Sequence, residues 1–256
     1  MSSIAPSLRQ LTPSASVLLV VAAGAWAGVV VAARHMSSMP GTMGLGVGAF
    51  AAVWALMMAA MMLPSVVPFA SLYSRTFKAS RGWRLAGFAC GYLTVWTLAA
   101  LPAYGLAWLA DRFVGLHPAA ATVLAVAIFA ACGLYQLTPL KDRCLARCRS
   151  PLGFVLKLGA YQGRTRDLRV GLYHGAFCLA CCWALMALLV AFGLMNVIAM
   201  VVLAGSVLAE KTWVWGPRFS RLLGVAALGL ALAVIFVPGL APGLHHEPGP
   251  GGMGGM

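Results

Sequence analysis

GLYHGAFCLACCWALMALLVAF, residues 171–192, holds 22 consecutive residues with no acid, lysine or arginine. At about 1.5 Å of rise per residue a helix of this length covers about 33 Å, enough to cross a hydrocarbon core of about 30 Å. The run is continuously apolar and does not alternate, so a barrel strand is excluded and a membrane-crossing helix is expected. Four polar or soft side chains interrupt it: His174, Cys178, Cys181 and Cys182. With His174 at zero and about 100° per residue, the three thiols fall near +40°, −20° and +80°, so all four share one face.

Outward from this segment the rest of the chain follows the same rule. The chain has 256 residues, 62% hydrophobic and 9% charged, with a mean hydropathy of +0.91, where a soluble domain would carry about a quarter charged residues. Six further spans are expected: Ala15–Ala33, Leu45–Leu72, Leu85–Leu109, Ala119–Leu137, Val197–Trp215 and Leu222–Val237. Pro64 and Pro68 predict a kink or an early end in the second. Glu210 and Lys211 weaken the sixth. The fold class is therefore all-α, a polytopic transmembrane bundle of about seven spans. It forms a single membrane domain over residues 1–240, followed by a disordered Gly/Pro/His/Met tail over residues 241–256.

The net charge of +13 is distributed by topology. Arg9, the segments 75–84 and 141–169, and Lys211, Arg218 and Arg221 hold 16 of the 18 basic residues, all in alternate loops. This asymmetry puts the N-terminus inside and the C-terminus outside. It calls for a lipid bilayer as partner and for no nucleic acid. The large inner segment Pro139–Val170 is read as a loop whose middle, PLGFVLKLGAY, lies along the interface.

The soft side chains are ordered along this topology. Outside, His35, Met36 and Met39 crowd the first loop with Met43, and His245, His246, Met253 and Met256 mark the tail. Within the second span Met57, Met58, Met61 and Met62 form two i, i+4 pairs. Toward the inside come Cys178, Cys181 and Cys182, then Cys144 and Cys148 in CLARC, beside three arginines. Thiolate, thioether and imidazole together suit Cu(I), with Zn(II) the alternative metal ion. Each type also has an ordinary use, since Cys and Met fill apolar cores. Glu210 alone places a carboxylate near the membrane interior, which marks it as a functional residue by default; Lys211, Arg218 or Arg221 is its expected partner. No phosphate-binding loop, dinucleotide turn or nucleophile elbow is present, so no catalytic residue is assigned.

WALMMAAMMLPSVVP, YQLTPLKDRCLARCRSPLGF, HGAFCLACCWALMALL and GLMNVIAMVVLAGSVLAEK together resemble domain-of-unknown-function family 2182. The resemblance covers roughly residues 53–211. It implies a bacterial integral membrane protein of the inner membrane that binds a metal, with His174, Cys178, Cys181, Cys182, Cys144 and Cys148 as the site residues carried over. The reading taken from sequence is thus a membrane protein that binds a soft metal, Cu(I) first, for transfer, import or insertion into a partner. A metal donor or acceptor protein, or a second copy of the chain, would be that partner. Two other readings stay open: a membrane thiol–disulfide oxidoreductase using Cys178-x-x-Cys181, and an assembly partner of a membrane metalloenzyme.

Overall fold

Helix follows helix through the computed structural model, which describes residues 13–36, 41–76, 81–114, 118–150, 163 and 165–244. The order is α1 (Pro13–Met36), α2 (Val47–Arg75), α3 (Arg81–Leu98), α4 (Ala100–Val114), α5 (Pro118–Gln136), α6 (Pro139–Arg149), α7 (Arg166–Phe192), α8 (Val197–Thr212), α9 (Gly216–Phe236) and a 3₁₀ turn, Pro238–Leu240. Six segments among the described residues are long and apolar enough to cross a membrane, with α3 and α4 counted together as one. This is the expected polytopic bundle, and its six such segments stand close to the expected count of about seven. The sixth expected span, α8, has only 16 residues, about 24 Å of helix. Its end is set by Glu210 and Lys211, which turn into the protein, and by extended backbone at Trp213.

Two other expectations change. α2 runs as one 29-residue helix through Pro64 and Pro68, so it does not end early. The break comes instead between α3 and α4, where Pro102 has no N–H to offer the carbonyl of Leu98. The inner segment from Pro139 is not a plain loop. Thr138 caps α6 by accepting the Lys141 amide at 3.2 Å, and Pro139 takes the first helical position, where its missing N–H costs nothing. The PLGFVLKLGAY stretch, Met39 and the tail histidines and methionines lie outside the described residues. The tail does not lose order at residue 241: Ala241 and Leu244 are buried, and the Gly243 amide donates to the Ala191 carbonyl at 2.9 Å.

Small residues set how closely the helices approach, as expected where lipid is as apolar as leucine and only close packing holds helices together. α3 and α7 run parallel and touch backbone to backbone. A Cβ on Gly91 would strike the Leu168 carbonyl, and one on Gly171 the Phe88 carbonyl. Gly175 follows one turn later, with a Cβ 3.1 Å from the Tyr92 carbonyl. The residues 171–175 are thus a G-x-x-x-G step, and it carries His174 inside it. Gly133 of α5 and Gly224 of α9 make a second close crossing. The Trp54 indole N–H donates to the Trp96 carbonyl at 3.0 Å and ties α2 to α3.

The crossing predicts an order of damage. Gly171→Ala forces two backbones apart and should abolish most folded protein. Gly175→Ala should cost less, because its nearest neighbours can give by tenths of an ångström. Gly105→Ala, with open space around it, should be neutral or stabilising by about 0.5–1 kcal/mol. Folded yield and thermal midpoint in detergent measure all three, and equal behaviour of Gly171→Ala and Gly105→Ala would contradict the packing.

Candidate metal centre

The soft face of α7 is buried on all four positions: His174 is 3% exposed, Cys178 and Cys182 0%, and Cys181 1%. The opposite face, with Ala176, Ala180, Trp183 and Ala187, borders an open apolar pocket of about 540 Å³ that Trp54 and Trp96 also line. The helix thus separates a greasy side from a sulfur side. On the sulfur side α2, α3, α6 and α8 supply the neighbours of the four expected ligands.

Cys181 and Cys182 have their sulfurs 3.1 Å apart. Cys148, from α6, approaches Cys181 at 3.8 Å. Three thiols from two helices therefore form one contiguous group. Cys144, one turn earlier on α6, is buried, and the sulfur contacts run through Cys148 instead. Cys178, one turn earlier on α7, also interacts through its thiol with Cys181 and Cys182, and its sulfur lies 3.0 Å from the Tyr92 hydroxyl and 2.9 Å from Lys211 Nζ. Lys211 also donates to Ser65 Oγ at 3.0 Å. His174 sits in an aromatic box, stacked on Phe69 at 4.2 Å between centroids, with Phe88 and Tyr92 both at 6.0 Å.

Beside the sulfurs lies a charged pair that sequence reading missed. Lys141 Nζ and Glu210 Oε2 are 2.7 Å apart, and both side chains are 0% exposed. Glu210 also accepts from Gln136 Nε2 at 2.8 Å, and Lys141 donates to the Cys181 carbonyl. Arg149 donates to the Glu210 carbonyl. Burial alone would pull the Lys141 ammonium below its ordinary range; the nearby Cys182 and Glu210 outweigh burial and hold it above. The expected partners of Glu210 are corrected: Lys211 points to the other side of α8, at Cys178, and Arg221 pairs with Asp142 at 3.1 Å. A charge in an apolar interior survives only when paired and hydrogen-bonded; Glu210 meets that condition with Lys141, and Lys211, on the other side of α8, donates to Cys178 and Ser65.

Met57, Met58, Met61 and Met62 are all buried to 1% or less and fill the two turns of α2 before Ser65. His35 is exposed and Met36 half-buried at the far end of α1. That end precedes α2, whose Ser65 lies about 27 Å along the helix from Val47, so these two stand at the opposite mouth of the bundle from Cys148. Among the described residues no three His, Cys, Asp or Glu side chains already converge as a finished metal site. The sulfur group has the right chemistry and nearly the right spacing. Two sulfurs on one ion, each at about 2.3 Å and spread by 120°, lie about 4.0 Å apart. The Cys148–Cys181 pair fits that distance, and the closer Cys181–Cys182 pair must open by side-chain rotation. Tyr92, Gln136 and Lys141 were the missed neighbours. Tyr92 and Gln136 had a signal, since each is a polar side chain within an apolar span, where such groups pair with one another.

A family model described as PpoB2, copper chaperone, matches residues 51–234. That range holds more than two thirds of the chain, with every cysteine and all of α3 to α8. It bears out a metal-related family, one described by copper, under a name different from the one the resemblance carried. No curated protein and no solved structure matches the chain.

The buried pair yields a stability test. Lys141→Met leaves Glu210 charged and unpaired and should destabilise the protein by about 3–5 kcal/mol, whereas Lys141→Met with Glu210→Met should recover most of the loss. Thermal unfolding of the four proteins in one detergent closes the cycle. A double variant as unstable as the single one would mean the pair is not what holds these helices.

Proposed function

The chain belongs to the PpoB2 copper-chaperone family, and from that premise we propose that it binds Cu(I) as cargo within the bilayer and passes it to a partner. The observation that carries the reading is the contact of three thiols, Cys148, Cys181 and Cys182, from two helices that Lys141 ties together by donating to the Cys181 carbonyl while it pairs with Glu210 of α8. Sulfur donors suit Cu(I) better than any hard cation, and a three-thiol group with no preformed fourth ligand favours Cu(I) over four-coordinate Zn(II). A group that must open to bind and can close on release is what a cargo site needs. Cys178 is the flanking ligand of this reading, and the Met57–Met62 thioethers supply weaker, neutral stations on the outer side. By the positive-inside rule Cys148 faces the cytoplasm of a bacterial inner membrane, so copper moves from thioether to thiolate as it goes inward. The thiol–disulfide alternative draws on the same cysteines, and the family match weighs against it.

Cu(I) competition titration of the purified chain under reducing conditions tests the proposal. The parent should hold one Cu(I) tightly. Cys181→Ser with Cys182→Ser should weaken binding at least about a hundredfold, that is by about 2.7 kcal/mol or more, with folded yield preserved. Met57→Leu with Met61→Leu should weaken it less, and Cys90→Ser, on the exposed face of α3, not at all. A Cys181/Cys182 double variant that binds like the parent would remove the proposal.

A further inference from the structure

Of the three sulfurs in contact, Cys181 and Cys182 are buried while Cys148 is half-buried on α6. Arginines stand beside it on α6 and at the start of α9. Arg143 and Arg147 are exposed on the same helix, and Arg218 and Arg221 are exposed at the start of α9. The Arg147 guanidinium lies 4.6 Å over the Phe177 ring, at the seam between α6 and α7. The acid among them, Asp142, is already paired with Arg221. Arg149, also half-buried, caps the end of α8 through the Glu210 carbonyl. We infer that Cys148 is the exchange port of the copper site, and that the arginines beside it dock a soluble thiol-bearing partner with an acidic face.

The inference rests on the copper reading above and adds to it a port, a side and a class of partner. The port follows from exposure. A partner's sulfur reaches the buried pair only after contact with the half-buried sulfur that touches it. The exchange is a ligand substitution. The partner's thiol gives up its proton as its sulfur bonds Cu(I), the bond from Cu(I) to Cys148 Sγ breaks, and the Cys148 thiolate takes up that proton. Copper stays Cu(I) throughout and no electron moves. The acidic face follows from charge complementarity, which steers encounter and is weakened by salt.

The test uses the full chain in lipid nanodiscs, without copper and with one Cu(I), and a membrane-impermeant maleimide located by peptide mass. Cys148 should take the label in the copper-free protein while Cys178, Cys181 and Cys182 do not, and Cu(I) should slow its labelling at least tenfold. In a second arm the loaded protein meets two synthetic peptides with one Cys-x-x-Cys core, flanked by Glu in one and by Lys in the other. The Glu-flanked peptide should withdraw copper at least tenfold faster at low ionic strength, and Arg143→Glu with Arg147→Glu should erase the advantage. A Cys148 that stays unlabelled, or is labelled as fast with copper as without, overturns the port. Equal rates for the two peptides overturn the docking surface, as do rates that respond to anionic phospholipid in the disc and not to peptide charge. A parent chain that takes up no Cu(I) fails the copper reading itself, a result distinct from all of these.

Discussion

The pairing of Lys141 with Glu210 at zero exposure is the constraint on which the centre depends. Either charge alone would be costly in an apolar interior, so the two must meet, and their meeting ties four helices together. Lys141 brings α6 down onto the bundle and its ammonium also holds the Cys181 carbonyl of α7. Glu210 fixes the end of α8 and takes Gln136 at the end of α5 as a further donor. Cys148 lies two turns beyond Lys141 on α6, so the same clamp delivers its sulfur to Cys181. The neighbouring Lys211 acts on the other side of α8, where it meets Cys178 and Ser65. One dipeptide thus anchors the soft face of α7 twice, Glu210 through Lys141 and Lys211 through Cys178.

Packing makes the clamp possible. The glycines of the α3–α7 crossing let backbones touch, which brings Tyr92 to Cys178 and Phe88 to His174. The same closeness fills the space around His174 with aromatic rings. Its position on the stripe is as expected, but its surroundings are those of a packed ring rather than of an arm reaching toward the thiols. The apolar pocket on the reverse of α7 shows the other consequence: the thiols and the imidazole are confined to one side of a helix whose far side is apolar.

Much of this was legible in the sequence because single-helix periodicity and hydropathy are local. The apolar runs located the crossing helices, and 100° steps put His174, Cys178, Cys181 and Cys182 on one face. The Met57–Met62 run was read as buried in the second span, where it lies. What was not legible is what depends on distant residues meeting. Lys141 looked like one more basic residue in an inner loop, because its partner lies 69 positions away. Cys148 was grouped with Cys144 by spacing, and only the docking of α6 separates the two. The shortness of α8 was hidden because an apolar pattern does not say whether an end is cut by lipid or by a buried charge. The G-x-x-x-G step of residues 171–175 was present in the sequence and overlooked, since attention fell on the histidine inside it.

X-ray absorption at the copper edge of the Cu(I)-loaded chain tests the central claim most directly. The account predicts Cu(I) in a first shell of sulfur alone, with two or three ligands, and loss of at least one sulfur on Cys148→Ser. A first shell dominated by nitrogen or oxygen, or one unchanged by replacing both Cys181 and Cys182, would contradict it.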